Sequence, residues 1–143
     1  LVSGLEPADA LRLSNGYLAD DNEQSMFVTA IAARYLPHDG VMLWANAGHP
    51  PPVCIRADGR ASALESRPGT PLGAVPELSI VQHSLRMDVG DTVVMCTDGV
   101  SEARDREGRM YTPQRFVEFL SGKRFNSCRE LCDRVCGRVD LPA

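Results

Sequence analysis

The 143-residue sequence predicts an α+β fold built around antiparallel strands. Two observations carry that expectation. Apolar spacing changes along the chain from a helical period to extended runs and back to helical segments. The extended runs follow one another through short turns rich in Gly, Pro and Asp, which suits antiparallel neighbours rather than parallel strands joined by crossover helices.

Pro7 suits a first helical position, and Ala10, Leu11, Leu13, Tyr17 and Leu18 are spaced as on a helix. Asp20, Asp21 and Asn22 end that segment in a polar turn, and Asp20, Asp21 and Glu23 read as a solvated acidic helix end. Met26 to Tyr35, with β-branched Val28, Thr29 and Ile31, predicts a buried strand. Pro37 to Gly40 is a turn, and Val41 to Ala47 is a second strand that pairs with the first as a hairpin. Gly48 to Pro52 breaks the strand, Val53 to Ile55 resumes it, and Asp58-Gly59 turns the chain into a short strand over Ala61 to Glu65. Arg67 to Pro76 is a Pro- and Gly-rich loop. Leu78 to Met87 alternates as a strand, and Thr92 to Cys96 is a continuous apolar strand expected to be covered on both faces. Ser101 to Tyr111 is a charged loop. Thr112-Pro113 caps a helix ending near Leu120, and Asn126 or Ser127 caps a last helix running to about Val139.

Composition narrows the function classes. Apolar residues make up 43% and charged residues 24%, as in folded globular domains. A net charge of -4 offers no basic footprint for nucleic acid or anionic membrane. No apolar run approaches a membrane span. The first residues lack the basic-then-apolar order of a secretory signal. Five cysteines, an odd count, suit reduced thiols and a cytoplasmic setting. Cys128, Cys132 and Cys136, spaced by four, share one helix face. Core packing explains them more simply than a metal cluster, for which no fourth ligand lies nearby. The chain begins with Leu1, as expected of a processed or trimmed protein or of a sequence given only in part.

Three groups of residues could carry chemistry. Asp98, in Thr97-Asp98-Gly99-Val100-Ser101-Glu102, follows directly on a buried strand, where the sheet would hold its carboxylate rigidly. Hard divalent ions take such oxygen ligands, and Gly99 would allow close approach or a positive φ. Glu102, four residues later, would face the same site if a helical turn follows. The plain alternative is a strand-ending Asp-Gly turn. His49, in Ala45-Asn46-Ala47-Gly48-His49-Pro50-Pro51, is either a loop-tip site residue or part of a turn in which His49 and Asn46 hydrogen-bond the backbone. Arg104, Arg106 and Arg109 could steer a phosphoprotein, although Asp105 and Glu107 between them favour a solvated loop. His38 and His83 read as ordinary surface or strand residues.

Taken in order, Phe27-Val28-Thr29-Ala30, Ala45-Asn46-Ala47-Gly48-His49-Pro50-Pro51, Thr70-Pro71-Leu72-Gly73, Gly90-Asp91 and Thr97-Asp98-Gly99-Val100-Ser101-Glu102-Ala103 form a set. That set resembles the SpoIIE-like branch of the PPM, or type 2C, metal-dependent protein serine/threonine phosphatases along nearly the whole chain. The resemblance implies an antiparallel β-sandwich flanked by helices. It implies hydrolysis of phosphoserine or phosphothreonine by water activated at two Mn2+ or Mg2+ ions, with no residue serving as a covalent nucleophile. Asp98 would ligate a metal, and Glu102 would serve a weaker additional site. His49 stands where the wider family has aspartate, with Asn46 and Gly99 beside the site. Two family motifs, an early Asp-Gly strand and a C-terminal aspartate pair, have no match here. The expectation is therefore the central and C-terminal part, residues 1–143, of one phosphatase domain, inactive as this segment alone. The implied partner is a phosphorylated regulator of the anti-anti-sigma type, in a parent often fused to sensory or receiver domains. A non-catalytic phosphatase-like binding or scaffold domain that has lost the metal site is the alternative. An unrelated α+β binding module stands behind both.

Overall fold

A computed structural model describes residues 4–20, 26–64, 69–101, 103 and 112–137. Its elements in chain order are α1 (Pro7–Asp20), β1 (Ala30–Leu36), β2 (Val41–Ala47), β3 (Val53–Ile55), β4 (Ala61–Ala63), β5 (Gln82–Arg86), β6 (Thr92–Val94), α2 (Asp98–Ser101), α3 (Pro113–Leu120) and α4 (Cys128–Cys136). The class is α+β with antiparallel sheets, as the sequence predicts. Contacts divide the chain into two compact units, Leu1–His49 with Glu65–Asp88, and Pro50–Leu64 with Val89–Ala143.

The first unit is a sheet of order β1-β2-β5 with α1 packed on it. β1 and β2 pair from Ala30↔Ala47 to Leu36↔Val41, the hairpin expected from the Pro37–Gly40 turn. Ala8 and Leu11 of α1 bury against Ala45, Ala47, Leu72, Leu78 and Ile80. Alanines at 45 and 47 leave no side-chain bulk between helix and sheet, so α1 can lie close to the strands. On β2, Trp44 is buried and stacks on its cross-strand partner His83 with ring centroids 4.7 Å apart.

Two strand expectations are shortened here. The first strand begins at Ala30 rather than Met26. Met26 and Phe27 are each 65% exposed, and Val28 makes an isolated bridge with Leu72, exchanging backbone hydrogen bonds of 2.9 and 2.8 Å. The strand expected from Leu78 begins at Gln82. Leu78 and Ile80 are buried at alternate positions, but the Ile80 carbonyl accepts from Arg12 Nη2 at 2.8 Å instead of from a ladder partner. Period-2 burial thus arises here without a strand.

The second unit has β3 between β4 and β6, with Val53↔Ala63 and Val53↔Val94 as paired residues. Val53, Ile55, Phe116, Leu120, Leu131 and Val135 form its core, so β3 meets α3 and α4 through apolar side chains. Thr112 caps α3 by accepting from the Arg115 N–H at 3.4 Å, with Pro113 at its first turn. Ser127 caps α4 by accepting from the Glu130 N–H at 3.1 Å. Leu120 is fully buried, a contribution of about 2 kcal/mol for such a side chain.

Two sequence expectations fail in this unit. The apolar run from Thr92 to Cys96 is a strand only to Val94, and all three strand residues are half-buried rather than covered on both faces. Cys128, Cys132 and Cys136 are exposed, while Leu131 and Val135 form the buried stripe of α4. The cysteines do share a helix face, but it lies next to the seam and not in it.

Candidate functional site

Asp98 opens α2, four residues beyond the end of β6. The chain around it is fixed from both sides. Cys96 before it and Val100 and Ala103 after it pack against the core of the second unit. The Thr97 carbonyl accepts from the Val100 N–H at 3.1 Å, which closes the turn. Asp98 itself is exposed, so its carboxylate is carried at the surface by a backbone that the core holds in place. Burial pushes the neighbouring Cys96 thiol up from its ordinary range, which keeps it protonated and apolar in character.

Gly99 adjoins Asp98 within α2, and of the two reasons for a glycine the positive φ does not apply. Its φ is not positive, and a Cβ built there would meet only Thr97 Oγ1, at 3.4 Å, an ordinary contact. The helical turn on which a role for Glu102 depends is present over Asp98–Ser101. Glu102 itself lies outside the described residues, as do Asp21, Glu23, Arg104, Arg106 and Arg109. Asp20 is exposed at the end of α1, as expected of a solvated helix end.

His49 belongs to the first unit, and its loop is closed by Asn46. The Asn46 side chain accepts from the His49 N–H at 2.8 Å and donates to the His49 carbonyl at 2.8 Å, while remaining only 7% exposed. Two glycines make that closure possible. Gly48 has φ +71°, and a Cβ there would come within 2.9 Å of Pro71. A Cβ on Gly69 would lie 2.3 Å from the Asn46 carbonyl oxygen, so only glycine lets the two backbones meet. The ring is oriented in turn by Thr29, whose hydroxyl lies 3.0 Å from His49 Nδ1. The Asn46 amide thereby binds the loop backbone at both its oxygen and its nitrogen, while the imidazole is held from one side at Nδ1.

Other members of the motif set serve their loops. Leu72 is the buried partner of Val28. The Gly73 N–H donates to Asn15 Oδ1 at 2.9 Å, and Asn15 Nδ2 reaches the carbonyls of Val75 and Pro76. Asp91 is 2% exposed at its side chain, where it accepts from Arg56 Nη1 at 2.6 Å and the Ala57 N–H at 2.9 Å. Thr29, Gly69 and Asn15 escaped the reading by residue type. Asn15 had a signal, since it continues the buried stripe of Ala8 and Leu11 at helical spacing. Nothing local marked Thr29 as a partner of His49 or Gly69 as a neighbour of the Asn46 carbonyl, because those contacts join residues far apart in the chain.

Among the described residues, no group of three or more His, Cys, Asp or Glu side chains could hold a metal ion. The donor chemistry of Asp98 fits a hard divalent ion, which uses one or two protein carboxylates with water or phosphate completing its shell. One such carboxylate does not make a two-metal centre. No helix among the described residues is long and apolar enough to cross a membrane.

The model of the family described as Stage II sporulation protein E (SpoIIE) matches residues 1–141. Protein IcfG of Synechocystis sp. is 30% identical over 137 residues, covering 92% of this chain and 21% of that protein. Phosphoserine phosphatase RsbU of Bacillus subtilis is 29% identical over 119 residues, covering 81% of this chain and 35% of that protein. The chain therefore spans about a fifth and about a third of the length of these two relatives. The phosphatase domain of the cell fate determinant SpoIIE from Bacillus subtilis, presoaked with manganese, shares the fold with a TM-score of 0.64 at 18% identity. The likeness covers 95% of this chain and 58% of that one.

Proposed function

This chain belongs to the SpoIIE family, and from that membership we propose that its parent protein is a metal-dependent protein serine/threonine phosphatase. The observation that carries the reading is the presentation of Asp98. It is an exposed carboxylate on a core-anchored turn, inside a family match that runs nearly the whole chain. The naming of one relative as a phosphoserine phosphatase supports the reaction, and the manganese treatment of the solved SpoIIE domain supports Mn2+, with Mg2+ as the equally hard alternative. Asp98 would ligate one ion, and Glu102 a further, weaker one. A two-metal centre then requires carboxylates from parts of the parent beyond these residues.

When bound, such ions lower the pKa of a coordinated water and offset charge on the phosphoryl oxygens. The chain's own contribution is positional. The packed Cys96 and Val100 fix the backbone on either side of Asp98, which holds the point from which its carboxylate is presented. Residues 1–143 would form the central and C-terminal part of one phosphatase domain. The family resemblance makes His49 a candidate site residue; within the first unit its ring is held through Nδ1 by Thr29, and Asn46 shapes the loop that carries it. The substrate class is a phosphorylated regulatory protein of the anti-anti-sigma type, handled in the cytoplasm by a parent that could carry sensory or receiver domains.

The test is Asp98→Asn in the parent protein, assayed for manganese-dependent phosphate release from a phosphorylated regulator. Loss of at least about a hundredfold is expected, since even residues that only support metal ligands cost up to that much. Undiminished release would remove Asp98 from the mechanism. The described residues hold no multi-ligand metal group, and that observation favours one second reading, a phosphatase-like domain that binds without hydrolysing. A wild-type parent that retains the regulator yet releases no phosphate with either metal would select it.

A further inference from the structure

We propose that the outer face of α4 captures a thiophilic centre that takes two thiolates, trivalent arsenic being the type case, with Cys132 as the shared member of two alternative pairs. The site is independent of the phosphatase reading and shares no residue with it. It rests on the three thiols that turned out to be exposed. Cys128, Cys132 and Cys136 form no disulfide, are exposed and repeat every fourth residue along one helix.

The helix sets what these thiols can reach. At ~1.5 Å rise per residue, neighbouring cysteines stand ~6 Å apart along the axis and the outer two ~12 Å apart. Adjacent pairs therefore face each other across one turn, with Cβ atoms ~5–6 Å apart. That is too wide for a disulfide, whose Cβ atoms sit ~3.8 Å apart, so the pairs do not close on themselves within an intact helix. A bridging atom between the sulfurs spans the remaining gap. All three thiols cannot converge on one centre, because Cys128 and Cys136 are two turns apart. A closed structural zinc site, which takes four protein ligands in a tetrahedron, is therefore not formed by these thiols. The absence of any group of three or more metal-holding side chains among the described residues agrees. Thiolates favour soft acceptors, which completes the match to a two-thiolate centre. The other two thiols differ in setting, since Cys54 is buried and Cys96 half-buried, and burial holds both protonated.

The bonding step balances without an oxidant. In a monosubstituted arsenous acid, each of two As–OH bonds is replaced by an As–S bond. Each thiol proton leaves with the displaced hydroxide as water, and arsenic stays trivalent.

The probe is phenylarsine oxide, added to the native protein and followed by intact mass and by counting reactive thiols. The expected result is one phenylarsenic per chain, two thiols consumed, and release by excess small dithiol. Cys132→Ser should bind at least about tenfold more weakly, because it destroys both adjacent pairs and leaves two thiols too far apart to bridge. Cys128→Ser and Cys136→Ser should each keep full capture, since each retains one pair. These two variants also control for folding, and the double variant Cys128→Ser/Cys136→Ser must lose capture as Cys132→Ser does. Full capture by Cys132→Ser, or none by the wild-type protein, would overturn the proposal.

Discussion

At the scale of single residues, polar side chains in this protein hold loops by bonding backbone. Asn46, Asn15 and Asp91 are each almost fully buried at the side chain, and each binds backbone groups that would otherwise lack partners. The consequence for Asn46 is direct. Asn46→Ala leaves the His49 N–H and carbonyl unpaired, at a cost of about 1–3 kcal/mol in urea denaturation. Unchanged stability would mean that the loop closes without the amide. The same variant should disturb the orientation of the His49 ring, because Thr29 reaches Nδ1 only when the loop backbone is in place.

At the scale of elements, the helices of the second unit are bounded by their caps. Ser127 and Glu130 sit three apart at the start of α4. The Ser127 hydroxyl accepts from the Glu130 N–H, and the Glu130 carboxylate accepts from the Asn126 N–H at 2.8 Å, an arrangement close to a capping box. Ser127→Ala should lower unfolding stability by about 1 kcal/mol, measured by thermal or urea melts, and should loosen the thiol face of α4 through fraying. A melt identical to wild type would show that Glu130 alone secures the terminus. Cysteine is more often inside than outside, yet in α4 Leu131 and Val135 bury more apolar surface and claim the seam.

At the scale of the whole molecule, ionisation should bound stability from both sides. The Asn126 backbone N–H, with its side chain and Arg134 adding to it, holds Glu130 below its ordinary 4.5. That contribution is present above 4.5 and is lost as pH falls through the lowered value. Burial raises the Cys54 and Cys96 thiols above their ordinary 9.0. Between 9.0 and the raised values the unfolded chain has lost protons that the folded chain keeps, so stability falls as pH rises there. Urea midpoints should accordingly decline as pH falls below about 4.5 and as it rises above about 9. An alkaline decline that persists unaltered in Cys54→Ala/Cys96→Ala would assign it to other groups.

The order of elements was legible in the chain before any coordinates. Val41–Ala47, Val53–Ile55, Pro7–Asp20 and Pro113–Leu120 fall where periodicity, prolines and caps place them, because those signals act within a few residues. Asp98 was singled out for the same reason, as a carboxylate just past an apolar run. Tertiary structure decided what depends on distant partners. Gly69 faces the Asn46 carbonyl, Thr29 meets His49, and Asn15 grips residues 73–76, all through contacts that local spacing does not encode. It also started β1 and β5 late, because a strand needs a neighbour's backbone as well as an alternating pattern. It turned three cysteines outward as well, because which face of a helix is buried is settled by the side chains packed against it.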